Sequence, residues 1–215
     1  MDITELETER LILRQWRETD YPLFAKLNAD KQVMKYILSP LSPEESDTLA
    51  GICASLISTR GWGLWAVELR STDSFIGFVG LHVPKDTLPF PPSLEIGWRL
   101  AKQYWGYGYA TEAASTVLKF AFETLNLNEV ISFTSVDNYP SRSVMERIGL
   151  INTNQNFQHI DLPLEHKLAE HVLYKITKSE WQDNNSDLQA ILDRADEPSV
   201  SYEQLLNELD SHKEV

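Results

Sequence analysis

Apolar and polar positions along the chain repeat with two periods, one near 2 and one near 3.6, and these divide it into extended and helical segments. The stretch Arg10-Leu11-Ile12-Leu13-Arg14-Gln15-Trp16 mixes apolar and basic residues and reads as a strand. Asp20 precedes Tyr21-Pro22, a helix start, with Leu23, Phe24 and Leu27 at helical spacing. Ser42-Pro43-Glu44-Glu45 announces a second helix, because Ser42 can cap it and Pro43 suits its first position. Leu49, Ile52, Cys53, Leu56 and Ile57 fall on one face of that helix, which stops before Gly61. Trp65, Val67 and Leu69 then alternate with Ala66, Glu68 and Arg70, and the turn tetrad Ser71-Thr72-Asp73-Ser74 leads into a strand from Phe75 to Val83. A loop holding Pro84, Pro89, Pro91 and Pro92 follows, and Leu94 to Leu100 alternates again. Three meandering antiparallel strands are the simplest reading.

Further on, Ala110, Ala113, Ala114, Val117, Leu118, Ala121, Phe122 and Leu125 recur every three or four residues, an amphipathic helix. Val130 to Val136 is a strand. Pro140 opens a short helix with Val144, Met145 and Ile148 turned inward, closed by Gly149 as a left-handed cap. Ile151 to Ile160 and His171 to Ile176 read as two last strands. The expected fold is α+β: a mixed, mostly antiparallel sheet of about seven strands with helices on both faces.

Composition narrows the classes. Hydrophobic residues make up 42% of 215, enough for a real core, so a mostly disordered chain is excluded. No apolar run approaches the roughly 18 residues of a membrane span, and the acidic opening Met1-Asp2-Ile3-Thr4-Glu5 is unlike a signal peptide. The single cysteine, Cys53, can form neither an internal disulfide nor a metal cluster. It sits on an apolar stripe and reads as core, a reactive thiol being the alternative. A cytoplasmic protein without structural zinc is expected. The net charge of −13 disfavours nucleic acid as a partner and favours a cationic substrate or basic partner. Residues 183–215 hold nine acidic residues against Arg194 and Lys213, which suggests a domain of residues 1–182 followed by an acidic extension. That extension reads as a solvated tail or as a short amphipathic helix, with Asp187–Leu192 as a first turn or two and Ser201 with Gln204 as a capping box beyond Pro198.

The stretch from Glu95 to Glu112 carries the candidate chemistry. A strand ends, Gly106 and Gly108 make a turn, and a long helix begins. Backbone N–H groups at a helix start are unpaired and sit at the positive end of its dipole, so an anion is favoured there. Glycines would let a phosphate approach. The spacing is neither a P-loop nor GxGxxG. A tight strand-to-helix turn with no ligand is the plainer alternative.

Gln103-Tyr104-Trp105-Gly106-Tyr107-Gly108 resembles the Gln/Arg-x-x-Gly-x-Gly/Ala signature of the GNAT superfamily of acyl-coenzyme A N-acyltransferases. Asn138-Tyr139-Pro140-Ser141-Arg142-Ser143-Val144-Met145-Glu146-Arg147-Ile148-Gly149-Leu150 resembles a second block of that family. The opening Thr8–Arg14 and closing His171–Ile176 are similar to the RimJ/RimL-type branch, related to ribosomal-protein N-terminal acetyltransferases. The resemblance covers about residues 7–181, in order. It departs at Arg147 where lysine is usual, at Leu150 where Phe or Met is usual, and at Tyr107 where a basic or polar residue is common.

The resemblance implies acetyl-coenzyme A as cofactor. Backbone amides from Gln103 through Tyr104, Trp105, Gly106 and Tyr107 to Gly108, aided by Tyr109 and Ala110, would hold its pyrophosphate. The strand end from Trp98 to Leu100 would hydrogen-bond the pantetheine arm, and a backbone N–H there would stabilise an oxyanion. Asn138 and Ser141 would lie near the thiol, with Ser141 able to protonate the departing thiolate, or to be merely a first-turn helix residue. Direct attack needs a neutral amine and therefore a base. Glu95 is the candidate, on one strand face with Gly97 and Arg99; a solvated glutamate or an ion pair with Arg99 is the alternative. His82 could share that task or be structural.

His159, His166 and His171 lack metal-ligand spacing, and their resemblance to family positions suggests shaping of the acceptor site. The acceptor side would be built from Phe24–Ser58 and Asp161–Glu170. Tyr36, Trp62, Trp65 and Phe90 are candidate slot residues or core, and Glu44, Glu45, Asp47 and Asp86 would suit a cationic amine. The function expected is N-acetyl transfer to a primary amine, a protein N-terminus or a small molecule, without nucleic acid or membrane and compatible with a homodimer. The alternative is a non-catalytic acyl-coenzyme A-binding regulatory module.

Overall fold

The computed structural model describes residues 2–84 and 88–195, with side chains described as far as Ser186. The described chain falls into two compact units, Met1–Lys178 and a second that begins at Ser179. In the first unit the strands are β1 (Leu6–Glu7), β2 (Leu11–Arg14), β3 (Leu64–Leu69), β4 (Ser74–His82), β5 (Glu95–Leu100), β6 (Glu129–Ser135), β7 (Ile151–Asn152), β8 (Phe157–Gln158) and β9 (Glu170–Thr177). The helices are α1 (Tyr21–Ala29), α2 (Pro43–Arg60), α3 (Tyr109–Lys119) and α4 (Tyr139–Arg147), followed at the end of the unit by α5 (Lys178–Ala195).

The expected order of elements is present, with differences that have local causes. Nine strands replace about seven because β1 is an extra two-residue edge strand, and because the stretch 151–160 divides into β7 and β8. Asn154, in the left-handed conformation, interrupts that stretch, and the two pieces pair with opposite ends of β9. The long amphipathic helix ends at Lys119 and continues as a π-helical turn, Phe120–Thr124. Helix α2 starts as its sequence signals: Ser42 Oγ accepts the N–H of Glu45, and the Glu45 carboxylate accepts the N–H of Ser42. Its buried face is Ser46, Ala50, Cys53 and Ile57, while Ile52 is exposed. Gly149 follows α4 with a φ of 87°.

The sheet order is β1-β2-β3-β4-β5-β6-β9-β7, with β8 also on β9. All pairs are antiparallel except β5 with β6. That parallel pair meets at a single register position, Glu95 opposite Ile131, and the strands part beyond it. Trp65 of β3 packs edge-on against Phe120 and marks the face covered by α3. Phe78 of β4 meets Phe24 of α1 at 5.9 Å and marks the opposite face. Trp16, Phe24 and Phe75 cluster on that second face with ring centroids 4.9–6.3 Å apart. Each buried side chain of this size contributes about 1.5–3 kcal/mol, which anchors α1 to the sheet.

Residues 183–195 belong to α5, where only one or two turns are expected from sequence. The rest of the extension, Asp196 to Val215 with Pro198 and the expected Ser201–Gln204 capping box, lies outside the described residues, as does Asp86. No described helix is long and apolar enough to cross a membrane.

Candidate active site

The glycine turn is built by three local constraints. Lys102–Tyr104 form a 3₁₀ turn, and the Trp105 indole N–H donates to the Leu100 carbonyl at 2.8 Å, fastening the loop to the end of β5. Gly106 and Gly108 have φ values of 82° and 81°, a region that side chains strongly disfavour. A Cβ at Gly106 would meet nothing within 4 Å, so the loop surface there is open. Helix α3 begins at Tyr109, and its first intrahelical N–H bond runs from Glu112 to Gly108 at 3.0 Å. The N–H groups of Tyr109, Ala110 and Thr111 precede that bond and have no acceptor within the helix.

A clamp that sequence reasoning missed fixes this turn. The Glu112 carboxylate accepts from Thr8 Oγ1 at 2.6 Å, from the Arg10 backbone N–H at 3.0 Å and from Arg10 Nε at 2.6 Å. Arg10 Nη1 donates to the Tyr107 carbonyl at 3.0 Å, and the guanidinium lies 4.7 Å from the centre of the Tyr109 ring. Burial would raise the Glu112 pKa, but these partners outweigh it and hold it below the ordinary carboxylate range. About a hundred residues separate the partners in sequence, so only the two flanking motifs hinted at the contact.

Where β5 and β6 part, a cavity of about 760 Å³ opens. Trp98 and Leu100 line it from β5, and Tyr104, Trp105, Gly106 and Gly108 from the turn. Tyr109 and Ala110 contribute the start of α3, and Asn138 and Ser141 the start of α4. Ten of the twelve expected cofactor residues therefore meet in one cavity. Gln103 and Tyr107 do not line it; both are exposed, and the Tyr107 ring stacks on Tyr109. Asn138 caps α4: its Oδ1 accepts the Ser141 N–H at 3.4 Å, and its Nδ2 donates to Thr134 Oγ1 at 2.8 Å. The Ser141 hydroxyl makes no hydrogen bond among the described residues, so both readings of Ser141, first-turn residue and ligand contact, hold together structurally. A long, open cavity with free N–H groups at one end and apolar walls fits an acyl-coenzyme A, whose anionic pyrophosphate and extended arm need those two features.

Glu95 opens β5 at the one register position it shares with β6 and is buried, 8% exposed, so it is not a solvated glutamate. It is not paired with Arg99 either. Its register partner on β4 is His82, whose Nε2 lies 2.9 Å from Glu95 Oε2. This is a charge contact and not an aligned hydrogen bond, since Oε2 is left without one. Burial works against a charge on His82, but the Glu95 carboxylate and the Val83 backbone outweigh it and raise the His82 pKa. Glu95 is not part of the cavity lining; it sits opposite Ile131, where β5 and β6 pair.

Arg99 takes another partner, donating from Nη1 to Asn28 Oδ1 on α1 at 2.6 Å. Cys53 is core, as expected, with burial pushing its thiol up to about 11. Among the aromatic candidates only Tyr36 lines the large cavity; Trp65 is fully buried, and Phe90 packs on Phe133 and Phe157. His159 and His171 meet with ring centres 4.9 Å apart and planes tilted by 43° beside that cluster, and burial pushes the His171 pKa down. His166 Nδ1 accepts the Leu168 N–H, a local turn contact. The acidic residues thought to favour a cationic acceptor are elsewhere: Glu44, Glu45 and Asp47 are exposed on the first turns of α2. The charged residues lining the cavity are Lys35, Arg99 and Arg147, with no acid among them.

The sequence profile described as the acetyltransferase (GNAT) domain matches residues 10–151. The FsC-acetyl coenzyme A-N(2)-transacetylase of Aspergillus fumigatus is 33% identical over 186 residues, 82% of this chain and 77% of that protein. The uncharacterized N-acetyltransferase YnaD of Bacillus subtilis is 29% identical over 178 residues, 82% of this chain and 98% of its own length. Among solved structures, a GNAT-family acetyltransferase from Bacillus anthracis superposes with a TM-score of 0.69 at 25% identity, covering 82% of this chain and 99% of that one. The fold is also that of the spermidine N-acetyltransferase from Vibrio cholerae solved with CoA and spermine, at a TM-score of 0.64 and 20% identity over 81% of this chain and 99% of that one.

Proposed function

The chain belongs to the GNAT acetyltransferase family, as an N-acetyltransferase that uses acetyl-coenzyme A, and from that premise we propose how its own residues carry the transfer. The bound cofactor supplies an activated acetyl thioester. The turn from Gln103 to Gly108 and the first N–H groups of α3 receive its pyrophosphate, with Arg10 and Glu112 holding the turn in shape. Trp98 to Leu100 offer backbone groups that β6 no longer pairs, and these orient the pantetheine arm. Glu95 removes the proton from the attacking amine, directly or through one water, and His82 shares and stabilises that proton. Ser141, held at the start of α4 by Asn138, hydrogen-bonds the sulfur that leaves.

The observation that carries this reading is the burial of Glu95 against His82 at the point where β5 and β6 separate. A carboxylate set against a histidine can pass on to it the proton taken from the amine. The transferase domain is residues 1–182, with 183–215 as its acidic extension. The Thr8–Arg14 and His171–Ile176 blocks support placing it in the RimJ/RimL-like branch. Release of free thiol from acetyl-coenzyme A, measured across amines with the wild type and Glu95→Gln, tests the reading. Acceptor-dependent release that the variant loses, with cofactor binding unchanged by calorimetry, supports it. Binding without turnover on any amine would favour a regulatory module instead.

A further inference from the structure

The Arg99 side chain has no role in the chemistry above, and its surroundings are unusual for an arginine. The guanidinium offers five donors. One is used, Nη1 to the neutral Asn28 Oδ1, and the Phe78 ring lies 5.4 Å from its carbon. Nε is buried and has no hydrogen-bond partner among the described residues. No carboxylate pairs with it among the described residues, and the nearby Cys53 thiol is held protonated by burial. Burial pulls the Arg99 pKa down to about 10. Arg99 is half-buried with its Nε out of water, and a charge partly taken out of water is costly unless something pairs it.

Its position adds a second observation. Glu95, Gly97 and Arg99 share one face of β5, and through the single register position Glu95–Ile131 Phe133 and Ser135 of β6 share it too. On that same face Ser135 Oγ is buried without a partner. Between Glu95 and Arg99 a Cβ at Gly97 would meet nothing within 4 Å, so the face is open there. Four strand residues place the two Cα atoms about 13 Å apart. A carboxylate at one end, a guanidinium at the other and a gap between them make a receptor for a molecule bearing both charges. The cavity that Arg99 lines has Lys35 and Arg147 on its wall and no acid, in a chain of net charge −13.

We propose that Arg99 receives a carboxylate of the acceptor, so that the substrate is a small amine carrying its own anionic group a few bonds from the nitrogen. This rests on the transferase reading and narrows its acceptor from any primary amine to an amino acid-like one. Guanidinium and carboxylate match as a fork of two parallel hydrogen bonds, and Arg99 spends only Nη1 on a described partner, Asn28.

Thiol release from acetyl-coenzyme A would be measured against glycine, β-alanine, 4-aminobutyrate and ornithine, each beside its primary amide, and against peptides with amidated C-termini. The wild type should favour the best free carboxylate over its amide by about tenfold or more in kcat/KM. Arg99→Met should reduce that preference to within about twofold, chiefly through KM, while its Kd for acetyl-coenzyme A by calorimetry stays within about twofold. Arg99→Lys should keep part of the preference. Equal use of acids and amides by the wild type overturns the assignment without any variant, so misfolding of Arg99→Met cannot shelter it. So would a preference for amidated peptides, or an Arg99→Met that weakens cofactor binding and leaves the preference intact. Acetylation of amines blind to the carboxylate would sink only this assignment; no acetylation of any amine would sink the transferase reading with it.

Discussion

Two arginines of this sheet have opposite surroundings, Arg14 buried and Arg99 half-buried. Arg14 of β2 is enclosed by carboxylates: Nη1 and Nη2 meet Asp20 at 2.7 and 2.9 Å, and Nε meets Glu68 at 2.8 Å. Arg17 adds a second cation to Glu68 at 2.7 Å. Burial opposes the charge on Arg14, yet the hydrogen bonds to Asp20 and Glu68 outweigh it and its pKa is raised. Arg99 of β5 has one neutral acceptor, and burial lowers its pKa to about 10. A matched buried charge ties parts of a fold together: here β2, the turn before α1, and β3. An unmatched one is a standing demand for a ligand, and it lies where the sheet opens.

Removing each arginine breaks the comparison most directly. Arg14→Met leaves Asp20 and Glu68 buried around a missing cation, and should cost about 3–5 kcal/mol in urea denaturation. Arg99→Met removes a charge that no described carboxylate pairs and leaves only Asn28 Oδ1 short of a donor. Its stability should stay within about 1 kcal/mol of wild type. Equal losses for the two would mean that Arg99 is as structural as Arg14. Glu95→Gln should lower kcat about 10²–10⁴-fold, the usual range for a general base, while acetyl-coenzyme A binding measured by calorimetry is retained.

The difference between these regions was not legible in the sequence, and the reason is range. Local signals are written within a few residues and held: the Ser42–Glu45 capping box, the α3 periodicity, Gly149 after α4 and the turn at Gly106 and Gly108. The same glycine turn was the strongest functional signal, since its chemistry needs consecutive backbone groups. Pairings over tens of residues were hidden. Arg99 finds Asn28, and not Glu95, because α1 packs on that face of the sheet; Glu95 finds His82 because the β4–β5 hairpin register places them opposite. Helix α2 shows the limit of periodicity: Ile52 fits an apolar stripe on paper, but the sheet covers the adjacent face through Cys53 and Ile57.

The Arg10–Glu112 clamp lies between the two extremes, a matched pair at the edge of the site with Arg10 44% exposed. As an exposed ion pair it should add little to global stability, under about 1 kcal/mol. As a brace for the glycine turn it should matter more to binding. Arg10→Ala is expected to weaken acetyl-coenzyme A about tenfold by calorimetry, with a melting curve close to wild type. A large loss of stability with unchanged affinity would make the clamp part of the fold alone.

The His82–Glu95 pair sharpens the comparison last, because its match depends on pH. The folded protein raises the His82 pKa above the ordinary value of 6.5, so the fold favours the imidazolium. The stability from this group is full below 6.5 and is lost as pH rises through the folded value. Catalysis runs the other way. While His82 holds its proton, Glu95 is engaged as its counter-ion; once that proton leaves, the carboxylate is free to accept one from the amine. The acidic limb of kcat/KM should therefore fall above pH 6.5, and His82→Gln should shift it downward while abolishing the stability difference between pH 6 and pH 8 assigned to this group. An unchanged limb in His82→Gln would leave Glu95 to act without its neighbour, with the histidine only a wall of the site.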